Sequence, residues 1–161
     1  MGMKKKKIWI FMAAFSLVLT GCGKPEPEPL AVYSFCGENE QLAVSNGVIV
    51  LHDTEEIFSG GDLKVTGAKF EDITFYSTKF YVLSGNEKDV ILSNAMEDLT
   101  GGIVSVPDDL GKMAGESVLS RVKLDDAGAW KNNFYFELVT RNTEGKVREY
   151  QVQLLIEEVT K

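Results

Sequence analysis

Phe134-Tyr135-Phe136-Glu137-Leu138-Val139 and Tyr150-Gln151-Val152-Gln153-Leu154-Leu155-Ile156-Glu157, joined through Asn142-Thr143-Glu144-Gly145, carry the clearest structural signal in the chain. Phe134, Phe136 and Leu138 alternate with Tyr135, Glu137 and Val139. Tyr150, Val152, Leu154 and Ile156 alternate with Gln151, Gln153, Leu155 and Glu157. A period of two puts each set on its own face of a strand, so the pair predicts a long antiparallel hairpin with one apolar face.

The same signal, alternating runs broken by turn residues, recurs upstream. Residues 30–36 read as a strand. Residues 40–44 and 47–52 read as a pair turning at Ser45-Asn46-Gly47, because Asn and Gly both tolerate the positive φ of a tight hairpin turn. Val48-Ile49-Val50-Leu51 is unbroken and rich in branched side chains, which predicts a central strand covered on both faces. Gly60-Gly61 predicts a bend or bulge before Asp62-Leu63-Lys64-Val65. Residues 72–83 turn at Ser84-Gly85-Asn86-Glu87 into Asp89-Val90-Ile91-Leu92. Residues 95–116 are less regular, with a short strand expected over Ile103-Val104-Ser105-Val106. Leu124 to Lys131 reads as one short helix with Asp125 as its cap. The whole predicts an all-β fold: one antiparallel β-sandwich domain over residues 30–161, immunoglobulin-like, with roughly seven to nine strands and at most one short helix. A small barrel is the alternative.

Ahead of this domain the composition changes. Lys4 to Lys7 form a basic run, and an uncharged apolar run follows over residues 8–19. That run is well short of the roughly 20 residues a membrane-spanning helix needs, and it has the length of a signal-peptide core. Leu19-Thr20-Gly21-Cys22 then resembles the lipobox of bacterial lipoproteins. The resemblance covers residues 3–23 and no part of the domain. It implies a signal peptide over residues 1–21, cleavage between Gly21 and Cys22, and lipid such as palmitate on the Cys22 sulfur. The membrane is then a partner, and the domain sits on its extracytoplasmic face. A thiolate is well suited to taking up a lipid group. Two acyl chains hold far more firmly than one, at about 0.8 kcal/mol per buried CH₂. With Cys22, the stretch Lys-Pro-Glu-Pro-Glu-Pro completes a stalk over residues 22–29, since alternating Pro and charge favour extended polyproline II.

The full chain carries a net charge of −7; without the four leader lysines, 13 basic residues face 24 acidic ones, close to −11. Such a domain repels nucleic acid, which is excluded as a partner, and attracts a cationic peptide or a divalent cation. With Cys22 committed to lipid, Cys36 has no disulfide partner and is expected as a small buried hydrophobe. The one histidine, His52, is expected at the surface end of a strand. Gly-x-Ser-x-Gly does not occur, and no catalytic residue is assigned. Carboxylate pairs recur, and Asp53, Asp108 and Asp109 are the weak candidates for a calcium loop, although no Asp-x-Asp-x-Asp-Gly run supports one. No metal site or cofactor is assigned, and Gly60-Gly61 and Gly101-Gly102 lack a nucleotide-binding spacing.

These features favour a membrane-anchored, non-catalytic binding or interaction module for a protein partner or cationic peptide. One alternative is an accessory subunit of a membrane complex, which predicts an exposed apolar patch. A less favoured one is an envelope hydrolase using His52 or a carboxylate pair in a pocket.

Overall fold

The computed structural model describes residues 30–52, 55–67, 69–116 and 130–160. In chain order its strands are β1 (Ala31–Glu38), β2 (Leu42–His52), β3 (Glu55–Ser59), β4 (Asp62–Val65), β5 (Ile73–Ser84), β6 (Glu87–Glu97), β7 (Ala114–Glu116), β8 (Phe134–Asn142), β9 (Val147–Gln153) and β10 (Leu155–Glu158). One sheet runs β10-β1-β2-β3-β7, with β4 also paired to β2; the other runs β6-β5-β8-β9. All the pairings are antiparallel, and the two sheets pack face to face as a β-sandwich.

The C-terminal hairpin forms as β8 and β9, with Phe136 opposite Val152 and Leu138 opposite Tyr150. Its second arm then changes sheet. The ladder breaks at Leu154, whose amide donates to the Phe134 carbonyl at 2.8 Å, and β10 pairs with β1, Ile156 opposite Phe35. Val152, Leu154 and Ile156 are all buried. Alternation survives the corner because both sheets turn their inner faces to one core.

That core is aromatic and draws on both layers. Phe35 and Phe58 from the larger sheet stack at 5.5 Å, and Phe134 meets Phe35 edge-on at 5.0 Å. Phe80 meets Phe58 edge-on, also at 5.0 Å, and Trp130 tilts against Phe134 at 5.1 Å. Such ring pairs add about 0.5–1.5 kcal/mol each beyond the area they bury.

The expected hairpin at Asn46-Gly47 does not form. Strand β2 runs through it, and the positive φ serves a β-bulge instead: Asn46 has φ 58, and Ser45 and Asn46 together lie opposite Cys36. The strand across the sheet explains the choice. Gly60-Gly61 bends the chain at the same level, so the first part of β2 pairs with β4 and the last part with β3. Asn46 Nδ2 donates to Asp62 Oδ2 at 2.7 Å across this joint. Gly47 lies under the Phe35 ring, where a Cβ would overlap it.

The bend divides β3 from β4, and the Leu154 corner divides β9 from β10. The described residues therefore hold ten strands, against the seven to nine expected. Val48 and Val50 are only half-buried, so β2 is not fully covered on its outer face. Residues 103–106 form no strand; the Val104 amide donates to the Ile73 carbonyl at 2.7 Å. Most of the expected helix, residues 124–129, lies outside the described residues.

Candidate functional site

Gly21, Cys22 and Asp53 lie outside the described residues. His52 ends β2 and is exposed, as expected. Asp108 and Asp109 are exposed on the approach to β7. The Asp108 carbonyl accepts the Val65 amide at 2.8 Å, and Asp109 Oδ1 accepts the Gly111 amide at 2.9 Å. Among the described residues no three His, Cys, Asp or Glu side chains gather as a metal-binding group. The expectation for Cys36 is corrected: its side chain is exposed. Phe35 takes the inward position, so the next residue points out. Cys36 there lines a shallow groove of about 750 Å³ with Ala43, Ser45 and Leu155.

The most unusual side chain on the outer face of the four-stranded sheet is Glu137. Phe136 and Leu138 point to the core on either side of it, so Glu137 points outward, yet it is 0% exposed. Two lysines account for this. Lys79, its register partner on β5, places Nζ 2.6 Å from Oε1, near enough for an ion pair though not aligned as a hydrogen bond. Lys88 from β6 hydrogen-bonds Oε2 and lies 3.7 Å from Glu149 on β9. One rung along, Tyr81 stacks on Tyr135 at 5.5 Å, takes Lys88 Nζ over its ring at 4.9 Å, and donates its hydroxyl to Gln151 Oε1 at 3.0 Å.

The electrostatics follow from this packing. Burial pushes the Tyr81 hydroxyl up to about 12, with Lys88 pulling the other way. The hydrogen bond to Glu137 holds the Lys88 ammonium above its usual value. Glu137 thus joins β5, β6 and β8 through its two lysines. Alternation in the sequence predicts that Glu137 points outward but carries no signal that neighbouring side chains close over it.

This sheet has two edge strands, β6 and β9, and β6 is the longer. Among the described residues no strand pairs with the outer side of β6. Glu87, Asp89 and Glu97 are exposed along it, and its lysine is engaged by Glu137. Glu97 pairs with Arg141; Glu87 and Asp89 have no ion-pair partner among the described residues. Just past the strand, Asp98 accepts the Thr100 hydroxyl at 2.6 Å and the Thr100 amide at 2.8 Å, and these bonds hold its carboxyl below the usual range. No family model, curated protein or solved structure matches the chain.

Proposed function

We propose that this protein is an exported lipoprotein, anchored through Cys22 on the extracytoplasmic face of a membrane, that acts as a non-catalytic binding module for a basic, extended peptide segment. The observation that carries the reading is the open edge of β6. Alternate residues along its roughly 35 Å turn backbone donors and acceptors away from β5, although the Ala95 amide already donates to Asn94 Oδ1 at 2.9 Å. Adding a strand to such an edge draws affinity from main-chain hydrogen bonds, each worth about 0.5–1.5 kcal/mol net. Glu87, Asp89 and Asp98 then select for basic side chains on the added strand, and the acidic balance of the chain works in the same direction.

The test is photo-crosslinking from Ser93 on β6 in native cells, with Cys22→Ala as the control. Capture of one protein through a basic segment, lost in the control, supports the reading. Recovery of diffuse neighbours alone refutes it. A second reading, an accessory subunit of a membrane complex, is favoured by Met96, Leu99 and Ile103, which are 52%, 96% and 64% exposed at the end of β6 and just beyond. It predicts a membrane-complex subunit crosslinked from Leu99 and not from Ser93.

A further inference from the structure

At one end of the sandwich the inward-facing positions stop being apolar. Along β8 they run Phe134, Phe136, Leu138, Thr140 and Asn142; along β9 toward the same end they run Val152, Tyr150 and Arg148, with Thr140 and Arg148 as register partners. The segment between β4 and β5 reaches this end, where Phe70 meets the Tyr150 ring edge-on at 5.4 Å. A cleft of about 310 Å³ opens there, lined by Lys69, Phe70, Glu71, Thr140, Lys146 and Arg148 among others.

Three cations and one carboxylate line this cleft in a chain that is acidic as a whole. None of the three forms an ion pair among the described residues; the pairs that do form involve Lys79, Lys88 and Arg141. Arg148 is in phase with the inward positions of β9 but stands at the open end of the sandwich, where it is exposed. Glu71, the carboxylate in the lining, makes no ion pair with it.

We infer that the cleft binds a small ligand through a phosphate group. The surplus of two positive charges matches a phosphate monoester. A guanidinium fork binds two phosphate oxygens at once, and lysines add point charges around it. Phe70 and Tyr150 give an apolar wall for the carbon skeleton carrying the phosphate. The volume lies at the low end for small-molecule sites, which suits a phosphate ester of a few carbons or a single lipid headgroup.

The test is NMR on the full-length, isotope-labelled protein in non-ionic detergent micelles, titrated with glycerol 3-phosphate against sodium chloride of equal ionic strength. The expected result is saturable shifts at the Thr140, Arg148 and Tyr150 amides, with affinity at least tenfold weaker in R148Q. Lys146 lies in the turn between β8 and β9, so K146Q is a second variant with little bearing on the core, and it weakens binding in the same direction. A second arm adds phosphatidylglycerol to the micelles. The same shifts without added ester identify a lipid headgroup as the source of the phosphate; shifts with the ester alone identify a soluble one. Shifts no larger than with chloride in both arms overturn the inference, as does unchanged affinity in both variants.

Discussion

Replacing Lys79 and Lys88 by methionine should cost more stability than replacing the carboxylate they serve. Glu137 is 0% exposed, whereas the side chains of Lys79 and Lys88 are 26% and 36% exposed. Take the charge from Glu137, as in E137Q, and each lysine can swing its ammonium into water, with loss near the range of exposed ion pairs, roughly 1 kcal/mol each. Take both lysines away, and the carboxylate stays buried without a counter-charge. Breaking a buried pair in that sense costs about 3–5 kcal/mol. The triple variant K79M/E137L/K88M removes the stranded charge as well and should return to within about 1 kcal/mol of the parent, since an apolar replacement of matching volume is often neutral or better. The assay is urea denaturation followed by circular dichroism, with equal m-values confirming that the folded states are comparable. A K79M/K88M loss below about 1 kcal/mol would refute the burial argument, and so would a triple variant no more stable than the double.

Tyr81 sets an alkaline limit. Its hydroxyl is raised from 10.0 to about 12, so the folded state keeps a proton that the unfolded state gives up, and stability is lost as pH rises through that window. The loss is about 1.4 kcal/mol by pH 11. Lys88 acts in the same sense: its contribution is full below 10.5 and fades as pH passes its raised folded value. Y81F should therefore lose about 1 kcal/mol less than the parent between pH 9 and pH 11 in denaturant titrations; equal losses would count against the burial of that hydroxyl. Gly47→Ala drives a methyl into the Phe35 ring and should cost about 1–3 kcal/mol. Gly61→Ala, with φ +74 and the Ser45 carbonyl in the way, should cost at least as much, whereas Gly85→Ala meets no atom within 4 Å and should lose only about 1 kcal/mol to its φ of +65. Thermal melts would rank the three, and a ranking with Gly85 worst contradicts the packing described. Native protein carrying Cys22→Ala should take up one equivalent of a disulfide reagent at Cys36 without denaturant; a thiol that reacts only on unfolding would refute its exposure.

The alternation of β8 and β9 was legible because period two is a local property and the core selects one phase of it. The corner at Leu154 was not, since Val152, Leu154 and Ile156 keep one phase while their ladder partners change from β8 to β1. Asn46-Gly47 misled for a similar reason. Positive φ is needed by a hairpin turn and by a bulge alike, and the deciding partner, the Gly60-Gly61 bend, lies across the sheet. Cys36 was readable and was misread: with Phe35 facing in, the next residue faces out, whatever its hydropathy. Arg148 left a visible trace too, as a charge in phase with Tyr150 and Val152. The enclosure of Glu137 left none, because it depends on lysines 58 and 49 residues away in sequence meeting on one surface.

The pairing of β1 with both β10 and β2 has a mechanical side. Val159 donates its amide to the Val32 carbonyl at 2.7 Å, and the Val32 amide donates to the Thr160 hydroxyl at 3.1 Å, so the final described residues clasp the point where residue 30 leads into the sheet. A tether pulling at that point would load β1 along its own axis. The two ladders flanking it would then resist together in shear rather than open one bond at a time, and the rate of forced unfolding would be set by their joint rupture.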